Sequence, residues 1–315
     1  MDKARKSLVG RSCRWGLVSG FLTLLSAAMS GRSEEFRIEH REDRLVITDG
    51  PEPVTEFVYK DEKILRPYFA NVHVPGGFGV TRPHPPDPAT GSADHADMHP
   101  GIWMGFGDVS GHDFWRNKGR IVHERFVLEP TASADQVSIV TVSTMQGENG
   151  EKLAKVLNAF LLARLPGGWR LDWKARITPQ VDGFYFGDQE EMGLGVRVAT
   201  PLTERSGGLI TSSEHRTTAG ETWGQRAAWC DYSGMIDGRR VGVLLVPDPV
   251  NPHPCWWHNR DYGVFVANPF GRQAMKQGEE SRIEVKKGQS YPFNHSVYLY
   301  SIDPEGKPSW DRYLR

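Results

Sequence analysis

The chain has 315 residues, of which 38% are hydrophobic and 24% are charged, and its formal net charge is -1. This length is enough for one large domain or two smaller ones. The near-neutral charge excludes attraction to nucleic acids or to an anionic membrane surface by bulk electrostatics.

Residues 1–30 have the pattern of a secretory signal peptide. Basic residues are followed by an apolar run from Trp15 to Ala28 and by small residues, which predicts cleavage after Ser30. The alternative is an uncleaved anchor, although the apolar run is shorter than the roughly 20 residues that span a bilayer. Cleavage removes five basic residues and one acidic residue, which changes the formal charge from -1 to -5. We therefore expect an exported protein, periplasmic or extracellular, with residues 31–315 as a single domain that has no membrane span.

The rest of the chain has mostly the patterns of β-strands. Residues 137–145 are rich in β-branched side chains, and residues 169–177 alternate apolar and polar side chains. The same patterns recur in three later stretches: residues 241–246, 262–267 and 296–300. Residues 152–165 have a helical composition, but the Pro166-Gly-Gly turn that follows favours a hairpin. The sequence thus predicts an all-β fold, a large antiparallel β-sandwich with few helices.

A polar and aromatic stretch reads DHADMHPGIWMGFGDVSGHDFW from Asp94 to Trp115. It is too polar for a core strand and too aromatic for a disordered linker, so we interpret it as an active-site loop. His95 and His99 have the i, i+4 spacing of some zinc sites, but no glutamate follows the first histidine. Metal-free acid–base chemistry, in which aspartates such as Asp108 fix a histidine tautomer, fits a loop equally well. The alternative is a loop held together by Asp and His side chains that cap turns.

Two further clusters carry polar side chains. Glu190 and Glu191 are followed by glycines, where partial burial of one carboxylate would make it a base. The stretch PHPCWWHNRDYGVFVANPFG, which begins at Pro252, places two tryptophans beside hydrogen-bonding groups. Flat aromatic faces beside such groups are typical of a sugar-binding cleft. The alternatives are an ordinary acidic turn for the first cluster and core packing of the tryptophans for the second.

Four segments point to a family: DHADMHPGIWMGFGDVSGHDFWRNKGRIVHERF, GDQEEMGLGVRVATPL, WGQRAAWCDYSG and WWHNRDYGVFVANPFG. They occur in the order seen in the DUF6807 family, which the chain resembles from about Tyr68 to its C-terminus. The resemblance implies a β-sandwich of the galactose-mutarotase kind and, by association, a role in carbohydrate metabolism. The family has also carried the name methane oxygenase PmoA, but membrane methane monooxygenases consist of long apolar spans that this chain lacks. Many relatives have DHPHHRG where this chain has DHADMHPG, so only His95 and His99 align, which weakens a three-histidine metal site in this loop.

These observations predict an exported protein that processes sugars or glycosides by acid–base chemistry. The candidate catalytic residues are His95, His99, Glu191 and His258. The candidate substrate-binding residues are Asp108, Asp113, Trp115, Lys118, Arg197, Arg260, Asp261 and Asn268. Two alternatives stay open, a glycan-binding module without turnover and a metal-dependent oxidoreductase that uses His95, His99 and His258. The expected ligand is a small molecule or a glycan, no metal ligand is assigned, and the cofactor and oligomeric state are open. Cys230 and Cys255 are expected either to form one disulfide or to be two separate buried thiols.

Overall fold

A computed structural model describes residues 35–89 and 91–306 of the chain. The predicted signal peptide lies outside these residues, so its cleavage and the domain boundary at residue 30 stay predictions. The strands, in chain order, are β1 (Phe36–His40), β2 (Arg44–Asp49), β3 (Glu52–Val58), β4 (Tyr68–Ala70), β5 (His73–Val74), β6 (Phe78–Gly79), β7 (Ile102–Phe106), β8 (Arg120–Ala132), β9 (Gln136–Gln146), β10 (Lys152–Leu165), β11 (Gly168–Pro179), β12 (Tyr185–Phe186), β13 (Met192–Arg197), β14 (Leu209–Ser212), β15 (Cys230–Ile236), β16 (Arg239–Pro247), β17 (Trp256–Asn259), β18 (Val264–Asn268), β19 (Ile283–Glu284) and β20 (Tyr291–Ile302). The helical elements are α1 (Ala219–Thr222) and two 3-10 turns, Thr200–Leu202 and Glu204–Ser206.

Two antiparallel sheets of eight strands each account for most of these strands. The first sheet has the order β1-β2-β3-β4-β7-β13-β18-β17, and the second has the order β14-β15-β16-β20-β11-β10-β9-β8. The pairs β5-β6 and β12-β19 form two small additional sheets. The predicted all-β fold, with large antiparallel sheets and few helices, is confirmed. The finer likeness to galactose mutarotases stays a prediction.

The hydrophobic core lies between the inner faces of the two large sheets. The ring centroids of Phe57 and Phe160 are 4.9 Å apart, and those of Phe106 and Phe293 are 5.8 Å apart, so aromatic side chains meet across the layers. These rings belong to one continuous cluster of buried apolar residues that draws on both sheets. Burial of aromatic side chains of this size, about 150–250 Å² each, is the main stabilising contribution that such a sandwich has.

The predicted strand of residues 152–165 is confirmed as β10, and it forms a hairpin with β11 in which Leu165 pairs with Gly168. The two-residue turn works because Gly167 adopts a φ of 78°, a left-handed conformation that glycine accepts without strain. The interpretation of residues 94–115 as a loop throughout is wrong, because residues 102–106 form the fully buried strand β7 in the middle of the first sheet. None of the helices in the described residues is long and apolar enough to cross a membrane.

Candidate functional site

Four residues form a row across the outer face of the first sheet, the face that points away from the second sheet. Gly195 pairs with Trp103 on one side and with Val266 on the other, and Val266 pairs with His258. Chain neighbours such as Val196 belong to the core between the sheets, so the alternation of side chains turns this row outward. The row brings the opening polar stretch and the Trp-Trp-His stretch onto one surface.

The Trp103 indole lies across the first sheet because its neighbouring strand has no side chain at the contact. A Cβ atom at Gly195 would lie only 2.7 Å from Cζ2 of Trp103. Trp115 packs against Trp103 with ring centroids 5.3 Å apart, and both indoles are fully buried. Both belong to a small second apolar cluster on the outer face, beneath the segments that flank β7.

His99 lies within this aromatic cluster and is a neutral imidazole. Its ring stacks on Trp103 at a centroid distance of 5.1 Å and meets Trp115 edge-on at 5.7 Å. Burial, together with the nearby positive charges of Arg197 and other arginines, lowers the pKa of His99 to about 2. The role of general acid near neutral pH, which the sequence suggested for this residue, therefore does not suit it.

Several polar atoms around His99 have no hydrogen-bond partner among the residues that the structure describes. They are both ring nitrogens of His99 and the indole nitrogens of Trp103 and Trp115, all of them buried. Buried polar groups in proteins are almost always hydrogen-bonded, to protein or to ordered water. This cluster of unpaired donors and acceptors is typical of a binding site more than of an ordinary core.

His99 makes the stability of the protein depend on pH. Because the folded-state pKa lies below the ordinary value near 6.5, its contribution is complete above about pH 6.5 and is lost as the pH falls below that value. We expect the free energy of unfolding, measured by urea titration between pH 7 and pH 4, to fall less steeply in His99→Gln. The expected difference in slope is up to one proton, or about 1.4 kcal/mol per pH unit. Equal slopes in the two proteins would contradict the neutral buried imidazole.

Asp94 is the polar centre of the site. Its carboxylate accepts hydrogen bonds from Arg197 at 2.7 Å, from Arg82 at 3.2 Å and from Ser92 at 2.7 Å, and it lies 2.9 Å from Nδ1 of His95. Partial burial alone would raise the pKa of Asp94, but hydrogen bonds from Ser92 and His95 and the charges of the arginines hold it well below its usual range. The ionised carboxylate can therefore orient His95 and fix the tautomer that leaves Nε2 as a proton acceptor.

His95 is held in an uncommon conformation. Its φ is 49°, in the left-handed region that few residues with a side chain adopt. The backbone N–H of His99 donates to the carbonyl of His95 at 3.0 Å, so the i, i+4 spacing seen in the sequence forms one helical turn. The ring centroids of the two imidazoles lie 5.2 Å apart, but of the two only His95 is exposed, with 46% of its side chain accessible.

Two buried arginines that sequence reasoning missed shape the segment around His95. Arg82 donates to the carbonyls of Asp94 and His99, and Arg66 donates to those of Phe114 and Trp115. Each guanidinium thus holds separate stretches of irregular chain together through several carbonyls at once. No spacing or composition in the sequence marks these two arginines, because their partners come from loops that meet only in the fold.

A cavity of about 250 Å³ opens beside Asp94. Charged and hydroxyl-bearing residues dominate its lining: Arg82, Ser92, Asp94, Arg197, Thr200, Thr203, Arg205, Ser206 and Tyr262. The guanidinium groups of Arg197 and Arg205 lie 4.7 Å and 5.4 Å from the ring centre of Tyr262, and the His95 ring stacks near the same tyrosine at 6.3 Å. We call this space the Asp94 cavity. Its lining brings cationic and hydroxyl groups around one aromatic ring, and the Asp94 carboxylate connects it to His95.

A second histidine–carboxylate pair lies on the same outer face. Nδ1 of His258 is 3.5 Å from Oε2 of Glu190, and Arg260 donates to the same oxygen at 3.1 Å. The contact with His258 and the charge of Arg260 hold the pKa of Glu190 below its usual range, while burial lowers the pKa of His258. Arg260 also acts electrostatically on Tyr262, which links this pair to the Asp94 cavity. Of the two adjacent glutamates, Glu190 meets the histidine, whereas the predicted Glu191 pairs with Arg116.

Three of the predicted binding residues instead belong to a turn after β7. The carboxylate of Asp108 accepts from the backbone N–H of Gly111 at 2.9 Å, and that of Asp113 accepts from the N–H groups of Trp115 and Arg116. Lys118 is exposed, and its backbone N–H donates to the carbonyl of Asp113. These aspartates cap turns, as in the structural alternative that the sequence left open.

Asn268 and Asp261 support other parts of the site. The buried amide of Asn268 donates to the carbonyls of Gln189 and Glu190, and its oxygen accepts from the N–H groups of Phe270 and Gly271. With its donors and acceptor so engaged, Asn268 positions the segment that carries Glu190. Asp261 pairs with Arg205 at 2.8 Å and so holds one arginine of the Asp94 cavity.

The cysteines and the two adjacent tryptophans have structural surroundings. Cys230 and Cys255 are both free and buried, which matches the alternative of two separate thiols. Trp257 belongs to the core and donates its indole N–H to the carbonyl of Ala227 at 3.0 Å. Trp256 is 7% exposed and lies beneath the guanidinium group of Arg226. In the described part of the chain, no three or more His, Cys, Asp or Glu side chains converge as metal ligands would.

Comparison with known proteins gives a family. No curated protein matches the chain. A family model described as "Family of unknown function (DUF6807)" matches residues 44–307, which include β2 through β20 and every residue of the site described above. The match covers most of the chain and confirms the resemblance carried by the four sequence segments. The chain therefore belongs to the DUF6807 family.

Proposed function

We propose that the protein is an exported enzyme that acts on sugars or sugar acids by acid–base chemistry at the Asp94 cavity. One observation carries the proposal: the carboxylate of Asp94, which lines the cavity, holds both the exposed His95 and the buried guanidinium of Arg197. A carboxylate-oriented imidazole is the commonest device for moving a proton near neutral pH. The strained φ of His95 also supports a functional role, because such conformations concentrate at active sites.

The lining of the cavity supports a sugar-like substrate. Tyr262 offers an aromatic ring on which the CH face of a sugar stacks, and the hydroxyl groups of Thr203 and Ser206 lie beside it. Arg197 and Arg205 add forked donors that suit hydroxyl or carboxylate oxygens.

In this mechanism Nε2 of His95 exchanges a proton with the substrate while Asp94 stays ionised. Asp94 accepts from Nδ1–H and stabilises the imidazolium that forms when Nε2 takes up the proton. Arg197 and Arg205 attract the negative charge that develops on the substrate oxygen when the proton leaves. His99 stays neutral and packs between the His95 and Trp103 rings. Mutarotation, elimination and hydrolysis all need a proton transfer of this kind.

The experiment is a turnover screen of the purified protein in deuterium oxide. Reducing sugars, uronic acids and glycosides are followed by NMR and mass spectrometry for anomer exchange, deuterium incorporation and bond cleavage. His95→Asn is the informative variant, because the amide can still donate to Asp94 but has no counterpart of Nε2. We expect its turnover to fall by about a hundredfold or more.

Two results would count against the proposal. Unchanged turnover in His95→Asn would show that His95 does not transfer the proton. Binding of glycans without turnover in the wild type would favour the alternative of a glycan-binding module. In that case Tyr262→Ala would weaken binding, since stacking and not proton transfer would then govern the interaction.

A further inference from the structure

A second concave surface lies at the edge of the first sheet, next to its last strand, β17. A groove of about 870 Å³ is lined by Arg216, Arg226 and Arg272 together with Trp256, and Glu214 is its one acidic lining residue among the described residues. A smaller cavity of about 230 Å³ continues from it and shares Arg226, Arg272 and Trp256. We call this continuous surface the Trp256 groove. It concentrates positive charge on a chain whose formal charge is -1.

Three of the arginines that line the Trp256 groove, Arg216, Arg226 and Arg272, lack acidic partners within the described residues. The fourth, Arg282, contacts Glu284 at 3.3 Å. Arg216 donates to the backbone carbonyl of Arg226, and Arg272 donates to the backbone carbonyls of Glu279 and Glu280. Arg226 lies over the ring of Trp256 at 4.9 Å. Contacts with backbone carbonyls fix the position of a guanidinium group but leave its charge uncompensated.

Other arginines of the chain differ in this respect. Arg44, Arg164 and Arg205, for example, each pair with a carboxylate at 2.6 to 2.8 Å. Three guanidinium groups that line one groove without carboxylate partners in the described part of the chain suit an external anion, since the bidentate fork matches carboxylate and sulfate oxygens.

Trp256 of the groove and Arg197 of the Asp94 cavity lie on the same face of the first sheet. Trp256 pairs with Asn268 and Arg197 pairs with Val264, on opposite sides of β18. Trp256 and His258 are two residues apart on β17, so both point to the outer face. From strand spacing and rise, the backbone of Trp256 lies roughly 16 Å from that of Arg197. A ligand with repeated negative charges could therefore engage both sites at once.

We propose that the Trp256 groove binds an anionic unit of an acidic oligosaccharide whose reacting unit lies in the Asp94 cavity. This proposal rests on the proposed function for the sugar nature of the ligand. The anion is a carboxylate or a sulfate, both of which fit forked guanidinium donors. The groove thereby selects a charged, extended substrate over a neutral or monomeric one, because a second attached site raises the affinity for a ligand that reaches both.

The test is isothermal titration calorimetry of the full-length protein with three probes at low salt. They are a galacturonate hexamer, the same hexamer with its carboxylates methyl-esterified, and a sulfated galactose hexamer. We expect the wild type to bind at least one charged hexamer, and Arg226→Gln/Arg272→Gln to bind it about tenfold more weakly or worse. A preference for the uronate or for the sulfated probe identifies which anion the groove takes.

The matched control is Arg37→Gln/Arg125→Gln. It removes the same charge from exposed positions on β1 and β8, the strands at the far edges of the two sheets, and should leave binding unchanged. If loss of the Arg272 contacts with Glu279 and Glu280 unfolds that loop, the single variant Arg226→Gln replaces the double variant in the test. Since His95→Asn leaves the groove intact, it should retain charge-dependent binding even where turnover is lost.

Four outcomes would overturn the proposal. They are equal binding of the esterified hexamer, equal weakening in the control variant, absence of binding to both charged hexamers, and equally tight binding of an oligonucleotide of the same charge. Failure of the proposed function looks different. In that case His95→Asn turns over substrate like the wild type, while the effects of esterification and of Arg226→Gln on binding remain.

Discussion

Replacing Trp103 with alanine is expected to lower the free energy of unfolding by about 3–5 kcal/mol, as truncation of a buried tryptophan commonly does. The indole is completely buried, stacks on His99 and packs edge-on against Trp115. Its removal leaves a cavity beneath a segment that irregular loops hold in place, so collapse around the cavity is limited. Urea unfolding followed by circular dichroism, which does not depend on the deleted fluorophore, measures the loss.

The position of the Trp103 indole leads to a prediction for the neighbouring residue Gly195. Gly195→Ala should cost about 1–3 kcal/mol in the wild type, because its Cβ would lie 2.7 Å from Cζ2 of Trp103. In the Trp103→Ala background the clash is gone, so the same substitution should cost less than about 1 kcal/mol. A double-mutant cycle isolates this coupling. Gly220→Ala is the control, because a Cβ there has no atom within 4 Å.

Additive costs in that cycle would mean that the indole does not lie across β13. The whole arrangement of the outer face depends on this contact, since His99 stacks on the indole and its backbone N–H donates to the carbonyl of His95. A loss of stability without coupling would therefore also count against the site as described.

The fold could be predicted from the sequence because several of the long strands have one buried face. In β9 and β11 the buried and accessible positions alternate, and this period of two is visible in the sequence. Strand β7 escaped prediction because it is buried on both faces. Its outward residues Trp103 and Gly105 are covered by flanking loops, so the period is lost, and polar residues on either side disguise the strand.

The sequence predicts several residues of the site but not which of them contact each other. Residue type and neighbouring residues in the sequence single out His95, Arg197 and His258. In the fold, the first two contact the same carboxylate, that of Asp94. Glu190 and Glu191 are adjacent in the sequence, and only the register of β13 and the clamp of Asn268 decide which one meets His258. Contacts that join distant strands leave no local pattern, so single-sequence reasoning could not have found them.

Asp94→Asn is expected to have a large effect on both activity and stability. For turnover, loss of the carboxylate removes the group that fixes the tautomer of His95 and stabilises its imidazolium, so we expect a fall of about 10²–10⁴-fold.

For stability, the guanidinium groups of Arg82 and Arg197, which are 4% and 3% exposed, would lose their counterion. Breaking a fully buried pair costs about 3–5 kcal/mol, and because the Asp94 side chain is 32% exposed we expect a smaller loss of about 2 kcal/mol.

The pH dependence of stability separates the ion pair from simple packing. Because the pKa of Asp94 is depressed in the folded protein, its contribution is complete above the unfolded value near 4 and is lost as the pH falls below it. The stability difference between wild type and Asp94→Asn, measured by urea unfolding, should therefore shrink as the pH falls from 6 towards 3. Asp97→Asn, which replaces an exposed carboxylate in the same turn, is the control and should cost much less stability at pH 6 than Asp94→Asn. If the stability difference between wild type and Asp94→Asn stays constant with pH, the charge of Asp94 does not hold the two arginines. The proposed proton-transfer role of His95, which depends on an ionised Asp94, would then be contradicted.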